Sequence, residues 1–315
     1  MTRILANDGV TAGCKETLEA AGFEVITENV PQEKLNEELL NYDVVLVRSA
    51  TKVRKETIDA CPNIKMIGRG GVGMDNIDVE YAKEKGIEVI NTPAASSASV
   101  GELVFAHLFG MARFLPDSNR NMPLEGDTRF KDMKKKFAKG SELRGKTLGI
   151  IGIGRIGQAT ANIALGVGMK VIATDPYIDD VTIDVDINGQ NVPVDIKTIA
   201  FNDVLKQSDY ITIHIPGGDK PVIAKKEFDM MKDGVGVINC ARGGVINDVA
   251  LVKAIESGKV AYAGLDVFEN EPTPAMQVLM NEKISLTPHI GAATLEAQDR
   301  IGLELAEKII AFFKN

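Results

Sequence analysis

Short apolar runs rich in β-branched residues alternate with stretches of helical spacing along almost the whole chain. The runs RILA, FEVIT, DVVLVRS and KMIGRG form a first series, with helical patterns such as QEKLNEELLN (from Gln32) between them. A second series starts at Lys146 and contains KTLGIIGIG, KVIATD, DYITIHIP, GVGVINCA and VAYAGLDVF. Alternation of this kind predicts parallel sheets covered by helices, and two series predict two doubly wound α/β domains. Between the series, NTPAASSASVGELVFAHLFGMARFL opens with a turn at Asn91–Pro93 and continues as a long apolar helix to Leu115, capped by Ser96 or Ser97 and expected to cross between domains. A last helix is predicted from Glu296 to Phe313, packing back on the first domain, and the Asn-Gly pair in VDINGQNVPVDI predicts a hairpin.

Composition narrows this picture without changing it. The chain has 315 residues, 44% of them apolar and 25% charged, which suits a globular protein with two cores. No run of eighteen apolar residues occurs, and MTRILAND lacks the basic start and apolar stretch of a secretory signal, so no membrane segment is expected. Cys14, Cys61 and Cys240 are too scattered for paired metal spacing, so no metal site is expected, and they suit a reduced, cytoplasmic setting. A net charge of -8 and a pI near 5.1 argue against general nucleic-acid binding. One basic cluster, RFKDMKKKFAK from Arg129, reads as a solvated loop or as a local attractor for an anionic substrate.

The strongest local signal is KTLGIIGIGRIGQATANIALGVGMKVIATD. A strand leads into Gly152, Gly154 and Gly157 with GxGxxG spacing. A helix follows, and a second strand ends at Asp175. Gly152 permits a tight turn, Gly154 lets the backbone approach a pyrophosphate, and Gly157 lets helix and strand pack closely. The helix start, where Arg155 sits, offers amide donors to phosphates. The Asp175 carboxylate can accept both hydroxyls of an adenine ribose and would repel a 2′-phosphate, which predicts NAD rather than NADP. The fold expected is therefore of the Rossmann/flavodoxin kind.

The ends of later strands should face the same crevice. Arg242 follows VINCA, Glu271 follows AGLDVFEN, and His289 lies in ISLTPHIGAAT. Taken singly, Arg242 could cap a helix, Glu271 could lie in a surface turn and His289 could be structural. Together, at the edge that carries a dinucleotide site, they suit hydride chemistry on a 2-hydroxy acid. Arg242 can grip a carboxylate with its planar fork, His289 can move the hydroxyl proton, and Glu271 can fix the imidazole tautomer.

The segments VRSATKV, GRGGVGMDNID, GELVFAHLFGMAR, GSELRGKTLGIIGIGRIG, NCARGG, GLDVFENEP and LTPHIGAAT run in order from Leu46 to Thr294. They resemble the D-isomer-specific 2-hydroxyacid dehydrogenases, and within that family its phosphoglycerate dehydrogenase branch. The resemblance implies that Arg242, Glu271 and His289 are catalytic. It implies cofactor contacts from Arg155, Ile156, Asp175, His214, Ala241, Asp266 and Gly291, beside the three glycines. It makes residues 95–285 the NAD-binding domain and residues 1–94 with 286–315 the substrate-binding domain, with the active site in the cleft between them and a homodimer formed largely through the NAD-binding domain.

For the substrate, the resemblance implies that Arg48 and Ser49, with Arg69 nearby, bind a phosphate, and that the amides of Gly71 and Val72 help Arg242 to hold the carboxylate. The expected reaction is oxidation of D-3-phosphoglycerate to 3-phosphohydroxypyruvate, and its reverse, at the first step of L-serine synthesis. Two other readings are a glyoxylate or hydroxypyruvate reductase and an NAD-sensing scaffold of the corepressor kind. The chain ends soon after its last helix, so a serine-binding regulatory domain is not expected. HIPGGDKP departs from the family pattern after His214, the segment from Glu125 lacks the usual tryptophan, and His107 reads as a packed histidine.

Overall fold

The computed structural model describes Met1–Lys314. The chain divides into two compact units: Met1–Ser97 together with the segment that begins at Ala292, and Ala98–Gly291.

The first unit is built on strands β1 (Arg3–Ala6), β2 (Glu24–Ile26), β3 (Val44–Val47), β4 (Met66–Arg69) and β5 (Glu88–Asn91), all paired in parallel in the order β2-β1-β3-β4-β5. Successive side chains of a strand point to opposite faces, and both faces here are covered. Leu5, Val45, Val47 and Ile67 pack with Leu35, Leu39, Ile58 and Ala82 on one side. Ile4, Val44, Leu46 and Met66 pack with Leu18, Ala306 and Ile309 on the other. The latter two come from the helix Leu295–Lys314, which lies against the helix Ala12–Ala20. Gly302 makes that approach possible: a Cβ there would stand 2.6 Å from Thr11 Oγ1 and 2.8 Å from Cys14 Cβ. QEKLNEELLN is less regular than its spacing predicts. Only Leu35–Glu38 reaches α geometry, flanked by the 3-10 turns Gln32–Lys34 and Leu39–Asn41.

The second unit contains β6 (Thr147–Ile151), β7 (Lys170–Thr174), β8 (Asp180–Ile187), β9 (Gln190–Lys197), β10 (Tyr210–Ile213), β11 (Val235–Asn239), β12 (Val260–Leu265) and β13 (Ile284–Leu286). Six form a parallel sheet in the order β13-β12-β11-β10-β6-β7. Strands β8 and β9 form the separate hairpin that Asn188-Gly189 predicts. Both turn residues have positive φ, 55° and 82°, as the two-residue turn matching strand twist requires. The sequence reading ends this unit at 285, whereas β13 pairs with β12 through Leu265↔Leu286 and the chain stays with the unit to Gly291. Among the described residues no single helix is long and apolar enough to cross a membrane.

The helix Arg155–Val167 lies close against β6 because Gly157 is buried with no side chain; a Cβ there would stand 2.2 Å from the Gly152 carbonyl oxygen. Gly154 is different, since a Cβ there would meet nothing within 4 Å. Gly157→Ala should therefore destabilise the protein by about 1–3 kcal/mol, as overpacking against backbone does, and Gly154→Ala, which only weakens an N-cap, by about 0.5–1 kcal/mol. Denaturant midpoints of the two variants check this; equal midpoints would contradict it.

Candidate active site

In the second unit the strand order reverses at β6, which has β7 on one side and β10 on the other. Ligands of open parallel sheets bind outside the carboxyl ends of the strands at such a point. Gly152 (φ 93°) makes the turn after β6, and the space a Cβ would need there holds the His214 carbonyl oxygen, 2.7 Å away. Gly154 is the N-cap of the helix Arg155–Val167, and no side chain caps that helix start. The first-turn N–H groups, near Arg155, Ile156 and Gly157, can thus serve a phosphate. At the end of β7, Asp175 accepts backbone N–H bonds from Ile153 at 2.9 Å and Tyr177 at 2.9 Å, one on each carboxylate oxygen. Each oxygen retains a lone pair for a hydroxyl donor. The turn, the uncapped helix start and the placed carboxylate fit a dinucleotide.

His214 follows β10. Its Nε2 lies 3.1 Å from Thr212 Oγ1, and burial pushes its pKa down to about 3, so the ring is neutral at working pH. Its buried Nδ1 has no hydrogen-bond partner among the described residues.

Arg242 is presented by a turn that its own sequence fixes. Asn239, 2% exposed at the end of β11, accepts from Ala241 N at 3.0 Å and donates from Nδ2 to Arg242 O at 2.8 Å. Arg242 Nη1 donates to Ala241 O at 2.6 Å. A Cβ on Gly243 would stand 1.7 Å from Phe268 O, so only glycine lets the chain leave Arg242 flat against the next loop. The place of Asn239 inside NCARGG is the one sequence signal for this turn.

The loops after β12 and β13 supply the other two groups. His289 Nδ1 lies 2.8 Å from Glu271 Oε2, and Glu271 Oε1 accepts from Phe268 N at 3.0 Å. Because a carboxylate only accepts, the neutral imidazole carries its proton on Nδ1 and leaves Nε2 as a base. The ring is 43% exposed, and among the described residues Nε2 has no hydrogen-bond partner. His289 has φ 56°, a left-handed conformation that a non-glycine residue adopts only when its surroundings hold it. Asp266 does the holding. It is 1% exposed, and it accepts from Thr287 Oγ1 at 2.7 Å, Ile290 N at 2.8 Å and Gly291 N at 2.8 Å. Gly291 O in turn accepts from Ser99 Oγ at 2.7 Å.

In the first unit the strand order reverses between β1 and β3. A cavity of about 230 Å³ opens there, lined among others by Asp8, Thr11, Arg48, Gly70 and Gln298. Asp8 accepts from Arg48 N at 2.6 Å and from Thr51 Oγ1 at 2.6 Å, while Asn76 Nδ2 donates to Arg48 O at 2.8 Å. These bonds fix the backbone of Arg48 and the exposed Ser49. Among the described residues no carboxylate pairs with the half-buried Arg48 guanidinium. Arg69 ends β4 with its guanidinium against Gly71, where a Cβ would stand 1.6 Å from Nη1. The Gly71 N–H donates to the fully buried Thr92 Oγ1 at 2.8 Å.

Residues 105–291 match the model of the D-isomer specific 2-hydroxyacid dehydrogenase, NAD binding domain. The chain is 44% identical over 292 residues to a hydroxypyruvate reductase of Thermotoga maritima, covering 91% of this chain and 90% of that protein. It is 40% identical over 312 residues to a D-3-phosphoglycerate dehydrogenase of Methanocaldococcus jannaschii, covering 98% of this chain but 57% of that protein. The chain thus spans little more than half the length of the phosphoglycerate dehydrogenases it matches. The crystal structure of a glyoxylate reductase from Paecilomyes thermophila superposes with a TM-score of 0.83 at 29% identity, covering 100% of this chain and 96% of that one. An NAD-binding unit matched over most of its length, and relatives of this identity along the whole chain, place the protein in the family of D-isomer-specific 2-hydroxyacid dehydrogenases.

Proposed function

We propose that the protein is an NAD-dependent dehydrogenase that interconverts D-3-phosphoglycerate and 3-phosphohydroxypyruvate. The observation that carries the chemistry is the His289–Glu271 pair at 2.8 Å. It leaves a basic Nε2 on an exposed ring, at the same sheet edge as the glycine turn and Asp175. Bound NAD would supply the hydride acceptor, held by the amides that follow Gly154 and by Asp175. In oxidation, His289 Nε2 takes the hydroxyl proton of the substrate, and Glu271 stabilises the imidazolium that forms. In reduction the same nitrogen returns the proton. Arg242 holds the substrate carboxylate and draws charge from the reacting carbon's oxygen as a carbonyl develops.

The phosphate is the selective feature. Arg242 serves only one of the substrate's two anionic ends, and the second needs its own donors. Arg48, half-buried and without a carboxylate partner among the described residues, supports that role together with Ser49 and Arg69. A second reading is reduction of hydroxypyruvate, which lacks the phosphate. It is favoured by the hydroxypyruvate reductase that matches nearly end to end.

His289→Ala should lower kcat by about 100-fold or more while NADH affinity stays near native. Stopped-flow turnover with separate fluorescence titration of NADH checks this, and near-native turnover would remove His289 from the chemistry. Asp175 should make NADP a poor substitute, and Asp175→Ala should narrow the preference by weakening NAD; comparable native kcat/KM values for the two would contradict this assignment. A charge-assisted contact contributes roughly 1.5–3 kcal/mol, so Arg48→Met should raise KM for phosphohydroxypyruvate by about 10- to 150-fold. The same variant should hardly alter activity on hydroxypyruvate, and an equal loss on both substrates would favour the second reading.

A further inference from the structure

The helix Ser97–Ala112 buries one aromatic base among mostly apolar side chains. His107 is 2% exposed, beside Val104, Phe105, Leu108 and Met111. Its Nδ1 lies 2.8 Å from Ser285 Oγ and its Nε2 lies 3.1 Å from Thr287 Oγ1. Ser285 and Thr287 are two residues apart on extended chain, so both project to one side and a single imidazole spans them. Gly264 of β12 makes room for the ring: a Cβ there would stand 2.8 Å from His107 Cβ and 2.9 Å from its Cγ.

The far end of the chain of bonds fixes the direction of its protons. Both Asp266 oxygens accept backbone N–H bonds, so Thr287 O–H donates to Oδ1. Thr287 Oγ1 can then only accept from the imidazole, which places the His107 proton on Nε2, and Nδ1 accepts from Ser285 O–H. Burial pushes the imidazole toward its neutral form against the opposing charge of Asp266, which agrees with one donor and one acceptor on the ring. Ser99, roughly two turns earlier on the same helix, donates to Gly291 O at 2.7 Å. One helix therefore grips the loop that carries His289 on both sides of that residue.

We propose that His107 is a positioning residue for His289: its Nε2–H commits the Thr287 hydroxyl to Asp266, and Asp266 holds the two amides that follow His289 in its left-handed conformation. This rests on the reading of His289 as the proton-transfer group. Without the Nε2–H, the Thr287 hydroxyl loses the partner that orients it and is free to turn from Asp266, which weakens one of the three bonds that tie this loop to Asp266.

The test uses the full chain with imidazole carbons and nitrogens labelled. Only three histidines are present, so substitution assigns every ring signal. In the native protein His107 should show the Nε2–H tautomer. His107→Leu fills the space without the donor. It should shift the His289 titration and lower kcat by roughly 10- to 100-fold, with KM for NADH altered by less than about threefold. His107→Gln returns an N–H near the Nε2 position and should recover most of both effects. The proposal falls if native His107 is the Nδ1–H tautomer. It falls equally if His107→Leu leaves kcat and the His289 titration unchanged, or if His107→Gln is as impaired as His107→Leu, which marks a packing role alone. A native-like His289→Ala enzyme would instead defeat the proton-transfer reading, and the spectra would still decide whether His107 positions His289.

Discussion

The carboxylate of Asp266 is the point on which the loop that carries His289 hangs. It is an ionisable group with almost no contact with water, which costs several kcal/mol unless its oxygens find donors. Three donors meet it, all from the segment Thr287–Gly291. The need of a buried carboxylate for hydrogen bonds is thereby converted into a fixed path for the residues around His289. That path includes a left-handed backbone at His289 itself, uncommon for a residue with a Cβ. Once His289 is held, Glu271 completes the pair, and its second oxygen is anchored by Phe268 N. The negative charge also acts at a distance. With burial as the larger cause, it pushes up the Cys240 thiol, while it opposes the effect of burial on His107.

A second constraint is the close approach of backbone to backbone at the carboxyl edge of the same sheet. Gly152 faces the His214 carbonyl, Gly157 faces the Gly152 carbonyl, and Gly243 faces the Phe268 carbonyl. At each point a methyl group would collide with a chain segment that cannot swing away. Asp175, Arg242 and His289, the groups to which the proposed chemistry falls, stand on loops packed so tightly that their backbones have little freedom. Such loops favour precise placement over tolerance of substitution.

Much of this was legible in the sequence because it is written locally. The glycine spacing from Gly152 to Gly157, the acid at Asp175 and the Asn188-Gly189 turn each declare themselves within a few residues. Arg242 and Glu271 were legible because each follows a strand run, and His289 because ISLTPHIGAAT stands beside them in the family's motif order. What remained hidden depends on polar atoms that meet across the fold. Nothing near Gly71 shows that Thr92 takes its amide, and nothing in the helix Ser97–Ala112 shows that Ser99 and His107 reach the segment from Ser285 to Gly291. Strands β5 and β13, four and three residues of mixed burial, lie outside the runs read as strands. In QEKLNEELLN the buried Leu35 and Leu39 carry a helical spacing that the backbone follows for barely one turn of α geometry.

The proposed function assigns proton transfer to the His289–Glu271 pair and phosphate selection to Arg48. The measurement that tests it most directly is kcat/KM of the native protein, with NADH, for phosphohydroxypyruvate and hydroxypyruvate side by side. The account predicts turnover of both, with the phosphorylated substrate favoured by at least about tenfold, as a charge-assisted contact to the second anion requires. Equal or better use of hydroxypyruvate, or no NADH-dependent turnover of either, would contradict it.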